Sequence, residues 1–131
     1  MNGILVVDKP HGWTSHDAVA KVKKGLRASK VGHLGTLDPA ATGVLPLVIN
    51  AATKYSILLD TNFKLYSAVL MLGKETDTYD SEGSVVRSTD DIPVTEKTIV
   101  DVLNGFVGRI QQTPPMYSAV KKNGVPLYKL A

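Results

Sequence analysis

Gly32 to Leu47, GHLGTLDPAATGVLPL, holds three glycines, two prolines, one histidine and one carboxylate, Asp38. Hydrophobic runs lie on both sides, so the segment reads as a rigid loop between packed elements. An acid displayed on such a loop is a candidate nucleophile or general base. Gly32, Gly35 and Gly43 permit backbone conformations closed to other residues and let a substrate approach closely. Pro39 has no N–H and holds Asp38 towards extended geometry. His33, five residues earlier, is flat and hydrogen-bonding. It can stack on a nucleobase or fill the space a flipped base has left. Plainer readings stand beside these. Asp before Pro is a common turn starter, with Thr36 and Thr42 nearby to share the local hydrogen bonding, and loop histidines are mostly structural or exposed.

A second feature is electrostatic. Lys21, Lys23, Lys24, Arg27 and Lys30 place five cations within ten residues. Such a patch suits phosphate binding and steers polyanions; it is also what a solvated helix face looks like. Other constellations carry less. Gly32-His33-Leu34-Gly35 is neither GxGxxG nor a Walker loop. Ser15, His16 and Asp17 are sequence neighbours, which a helix does not arrange as a triad. Asp77, Asp80 and Glu82 lack the spacing of a calcium loop and read as a solvated turn. The three histidines are not spaced as metal ligands, so no metal is expected.

The elements that position these residues follow from periodicity. Gly3–Asp8 reads as a buried strand and Lys9-Pro10-His11-Gly12 as a turn. Thr14 or Ser15 caps a helix to about Leu26, with Ala18, Val19, Val22 and Leu26 as its apolar stripe and the lysines largely off it. Val44–Ile49 reads as a second buried strand, which Pro46 assigns to an edge or a bulge. Ala51–Leu59 is a short helix. Lys64–Gly73 is apolar on both faces (Leu65, Val69, Met71; Tyr66, Ala68, Leu70, Leu72), the pattern of a covered central strand. Thr76–Gly83 is a polar turn with Ser84–Arg87 returning. Thr95 caps a helix carrying Ile99, Val102, Leu103 and Phe106. Val107–Gln111 is a further strand, Thr113-Pro114-Pro115 a stiff connector, and the last five residues begin a helix. Strands and helices mix without a βαβ rhythm, which leaves α+β or mixed α/β.

The 131 residues suffice for one domain. Apolar residues at 44% and charged residues at 21% are the balance of a globular protein. No apolar run approaches a membrane span, and MNGILVVDKP, with no basic start and an Asp by residue 8, does not read as a signal peptide. The absence of cysteine fits a reducing cytoplasm.

Five segments in order resemble the TruB family of tRNA pseudouridine synthases, in its bacterial branch. GHLGTLDPAATGVLPL resembles the catalytic motif. KPHGWTSHDAV resembles the N-terminal KPxGxTSxxxV segment, FKLYSAVLMLG the K-x-Y strand, TDTYDSEG the TDTxDxxG turn, and TPPMYSAVKKNGVPLYKLA the PPxYSAxKxxGxxxYxxAR segment. The resemblance extends from Lys9 to Ala131. It implies an α+β catalytic fold with a mixed, largely antiparallel sheet flanked by helices. It implies conversion of uridine to pseudouridine in the tRNA T loop, at position 55, without a cofactor. Residue by residue, Asp38 matches the essential aspartate, His33 the histidine that takes part in base flipping, and Tyr66 the tyrosine that packs on the flipped base. Tyr66 taken alone reads as sheet packing. Lys21, Lys23, Lys24, Arg27 and Lys30 would hold the RNA backbone, adding affinity with little discrimination.

Family members continue with further strands, including an S-x-G-T-Y-I-R segment that supplies a second tyrosine and an arginine for the aspartate. Many also carry an RNA-binding PUA domain. The expectation is therefore the N-terminal part of a catalytic domain, inactive and adhesive alone unless a second chain or fragment completes the sheet. Two other readings use the same residues: a non-catalytic RNA-binding or tRNA-folding module, and a dyskerin-like subunit of a guide-RNA particle.

Overall fold

The computed structural model describes residues 1–59, 63–114, 116, 118, 120–127 and 130, without the side chain of Lys122. The chain divides into two compact units, 1–66 and 67–131. Every strand pairing is antiparallel and helices flank the strands, the α+β class expected.

In the first unit, β1 (Gly3–Lys9), β2 (Val31–His33) and β3 (Gly43–Ile49) form a sheet in the order β1-β3-β2. Helix α1 (Ser15–Gly25) supplies Ala18 and Val19 to a core with Leu45 and Leu47, and Val7, Val22, Val31 and Leu37 pack around it. The expected stripe holds as far as Val22; Leu26 is exposed. Thr14 caps the helix. Its hydroxyl accepts from the Asp17 N–H, and the Asp17 carboxylate accepts from the Thr14 N–H at 2.8 Å. The Thr14 hydroxyl, also donating to that carboxylate, is the main reason its pKa lies below the usual 3.8. The far end closes on Arg27, in the left-handed region at φ 48°, with the Arg27 and Ala28 N–H groups on the Lys24 and Lys23 carbonyls.

Three expectations for this unit are corrected. Strand β1 is not buried throughout: its residues alternate, and Ile4 and Val6 face solvent. It lies at the sheet edge, and helix α1 covers one face only. The segment 32–47 is not all loop, because its ends are strands and only 34–42 is irregular. Pro46 sits in the central strand, not at an edge or bulge. The Pro46 carbonyl accepts from the Leu34 N–H, on the β2 side. In an extended strand a residue's N and C=O point the same way, so the missing N–H also faces β2, where that strand has just ended at His33. The proline thus releases the loop without breaking the ladder to β1.

A 3₁₀ turn (Asn50–Tyr55) runs into α2 (Ser56–Leu59), as the sequence suggests. Asn50, at φ 52°, accepts through its amide oxygen from the Ser29 and Lys30 N–H groups and fixes the entry to β2.

In the second unit, β4 (Lys74–Thr76) and β5 (Val85–Ser88) form a hairpin around the expected polar turn, one residue later than Ser84–Arg87. Thr95 caps α3 (Glu96–Asn104) as expected. Strands β6 (Lys121–Lys122) and β7 (Val125–Pro126) are joined by Asn123-Gly124, both at positive φ. Two strands do not form. Residues 64–73 are not a covered central strand: they join no ladder, and Val69 is fully exposed. A strand exists only with a neighbour to accept its hydrogen bonds, and no described residue supplies one. Residues 107–111 bend instead of extending, with Gly108 at φ 93°. Pro115 of the expected connector and most of the terminal helix lie outside the described residues.

Candidate active site

Asp38 begins a β-turn. Its carbonyl accepts from the Ala41 N–H at 3.0 Å, with Pro39 at the second position. The turn-starter reading is therefore correct for its backbone. Its carboxylate is exposed and accepts no hydrogen bond among the described residues, so the side chain is not spent on the turn.

The turn is clamped on both sides. Before Asp38, the Ser15 hydroxyl, buried at the start of α1, donates to the Leu37 carbonyl and accepts from the Leu37 N–H at 3.1 and 2.9 Å. After it, the Pro39 carbonyl accepts from the Gly12 N–H at 2.8 Å and from the Lys9 ammonium at 3.3 Å. Lys9 is fully buried, and its other bonds go to the Pro10 and Trp13 carbonyls at 3.0 and 2.6 Å. Three donors thus meet three acceptors. The KPHGWTS segment is a bracket for Asp38: its lysine, glycine and serine each bond a residue flanking the acid. Sequence reasoning assigned those residues to a turn and a cap. The signal available was a lysine directly after an apolar strand, where burial demands partners.

His33 ends β2, half-buried, with Nδ1 2.8 Å from the Gly35 carbonyl. A carbonyl only accepts, so Nδ1 carries the proton and Nε2 stays available. Tyr66 is exposed and lines a cavity of about 480 Å³ with Leu34–Leu37, Thr42–Pro46 and Phe63–Leu65. Asp38 and His33 border this lining through Leu37 and Leu34 without joining it, and no hydrogen bond links the three.

The five cations separate into two sets. Lys23, Lys24 and Arg27 line a groove with His16, over a floor including Val19, Ala20 and Val31; Lys21 and Lys30 lie outside it. His16, Val19, Ala20, Lys23 and Lys24 recur at helical spacing, so one face of α1 presents them, and Arg27 joins the groove just past the helix end. His16 was missed because it was weighed only as part of a triad. The groove runs along α1 from His16, and its cations gather near the helix C-terminus, while Ser15 of the Asp38 bracket lies at the N-terminus, about 13 Å away at 1.5 Å per residue.

No helix of the described residues is long and apolar enough to cross a membrane. No cluster of three or more histidine or acidic residues placed to hold a metal is present among them.

The whole chain is 51% identical to tRNA pseudouridine synthase B of Geobacter sulfurreducens and 51% identical to that of Clostridium perfringens, covering 43% and 45% of those proteins. It therefore spans less than half the length of these relatives. Among solved structures, it is similar to a chain of a Cbf5–Nop10–Gar1 complex, with a TM-score of 0.59 and 36% identity over 91% of this chain and 31% of that one. A chain of an H/ACA ribonucleoprotein bound to a substrate RNA containing 2′-deoxyuridine gives 0.56 and 35%, over 86% of this chain and 30% of that one. Residues 23–131 match the profile of the TruB family pseudouridylate synthase N-terminal domain, and the chain belongs to that family.

Proposed function

We propose that these residues are the part of a tRNA pseudouridine synthase that carries the catalytic aspartate, acting on uridine in the T loop at position 55. The observation that supports this most is the bracketed turn: buried Lys9 and Ser15 fix the residues flanking Asp38 while its carboxylate stays unbonded. In the reaction the N1–C1′ bond breaks, C5 joins C1′, C5 loses its proton and N1 gains one. Asp38 serves as nucleophile or base in that exchange. The target base leaves the stack at a cost of a few kcal/mol, and stacking on Tyr66 returns about 1–3 kcal/mol. His33 assists the flip. A tRNA substrate sets the reaction in the cytoplasm. The higher identity to tRNA pseudouridine synthase B than to the ribonucleoprotein chains favours a stand-alone enzyme over a guide-RNA subunit.

These residues work within a longer polypeptide, or with a second chain that completes the sheet. The exposed, largely apolar segment 65–72, the exposed Val102 and Leu103 of α3 and the exposed Phe106 just past its end support that part of the reading. Tritium release from tRNA labelled at uridine C5 tests both claims. The full-length protein is expected to release tritium with multiple turnovers, and the isolated 131 residues to release none. Turnover by the isolated residues would refute the need for a completing segment; none by the full-length protein would refute the function.

Lys23, Lys24 and Arg27 are proposed to grip the RNA backbone remote from the reacting base, with Lys21 and Lys30 making weaker contributions from outside the groove. Replacing the first three by alanine in the full-length protein should weaken tRNA binding and lower the slope of log affinity against log salt by about 2–3. A slope equal to that of the wild type would remove the groove from the interface.

A further inference from the structure

We propose that Lys64 is a substrate-binding residue whose ammonium holds a backbone phosphate beside the nucleotide that stacks on Tyr66. The inference rests on the RNA reading above and adds a contact to it.

Lys64 and Tyr66 line the same cavity. Among the described residues its walls are otherwise apolar apart from Thr36 and Thr42, and none of them is a carboxylate. A volume of about 480 Å³ lies in the range of small-ligand sites and admits a nucleotide. An apolar cavity with two aromatic rings, Phe63 and Tyr66, and one cation among its described residues suits a flat base joined to a single anion, which is what a nucleotide offers. The Cα atoms of Lys64 and Tyr66 are at most about 7 Å apart, and both residues line the one cavity, so a single bound nucleotide can meet both.

Gly35 makes the position of Lys64 possible. A Cβ at residue 35 would lie 2.9 Å from Lys64 Cε and 3.0 Å from Nζ, so a side chain there would push the ammonium away. Gly35 is also at φ +85°, where glycine is favoured. The same glycine's carbonyl holds His33 Nδ1, so one residue seats both the lysine and the histidine.

The test is a binding cycle on the full-length protein with a T-stem-loop RNA. Each of the two phosphates flanking the target uridine is replaced in turn by an uncharged methylphosphonate. Lys64→Met should weaken binding about tenfold, and one of the two methylphosphonates should do the same to the wild type. Combined, they should cost no more than either alone, because each removes the same contact. Lys64→Arg keeps the charge and should bind within about threefold of wild type. Independent, multiplying losses at both phosphates would overturn the proposal, as would wild-type affinity in Lys64→Met. If Lys64→Met does not fold, the wild-type and Lys64→Arg arms decide: indifference to both methylphosphonates overturns the inference. Failure of the wild type to bind the stem-loop at all would instead overturn the RNA reading and this inference with it.

Discussion

Asp38→Asn in the full-length protein is expected to abolish pseudouridine formation while leaving tRNA binding within about threefold of wild type. The amide is nearly the same size as the carboxylate and accepts through one oxygen, but it neither attacks carbon nor takes up a proton at neutral pH. A group with either duty contributes at least about 10²–10⁴-fold to rate, and a nucleophile without a substitute contributes more. The substitution is structurally mild, because Asp38 builds its turn through the backbone carbonyl and its side chain accepts no hydrogen bond among the described residues. Thermal melting should therefore hardly move. Single-turnover measurement of product, paired with filter binding of tRNA, separates the readings. Lost product with retained binding supports the enzyme; unchanged product would end the assignment of Asp38. A protein whose cellular role survives the substitution would instead be an RNA-folding module.

Lys9→Met should cost both stability and rate. The buried ammonium donates to the Pro10, Trp13 and Pro39 carbonyls. Methionine fills similar volume but donates nothing. Pro39 keeps the Gly12 N–H, whereas the Pro10 and Trp13 carbonyls lose a charged donor. An unsatisfied buried polar group costs about 1–3 kcal/mol, so the two carbonyls cost about 2–6 kcal/mol together; relief from burying a charge offsets part of that, leaving about 2–4 kcal/mol. Because Pro39 follows Asp38, its displacement moves the acid. A shift near 1 Å is worth on the order of 10²-fold in rate. Urea unfolding and kcat on tRNA check this in the full-length protein. Equal midpoints and equal kcat would show that the bracket neither stabilises the loop nor positions Asp38.

Much of the first unit was legible because its signals are local. The Thr14 cap, the Ala18–Val19–Val22 stripe and the two long strands need only neighbours in sequence to be read. Pro46 misled because its missing N–H was judged without knowing which strand it would face. The strand over 64–73 failed for the opposite reason: its composition is right, but a strand is a relation to a partner that no periodicity can supply. At the site, Asp38 was visible as a lone acid among glycines, whereas Lys9 and Ser15 act across gaps of 30 and 22 residues. Spacing within a motif does not reveal such contacts. His16 enters the groove through the helical repeat of α1, which sets it on one face with Lys23.

Every clamp described on the Asp38 turn comes from residues 9–15, which leave the ribosome ahead of residues 37–39. The elements that carry those clamps are completed by residues 43–49, because β1 pairs with β3 and α1 packs on Leu45 and Leu47. The Asp38 turn is therefore fastened from both sides within the first 49 residues. Synthesis proceeds from the N-terminus, so the turn that displays Asp38 has all of its described clamps before residues 67–131 are in place.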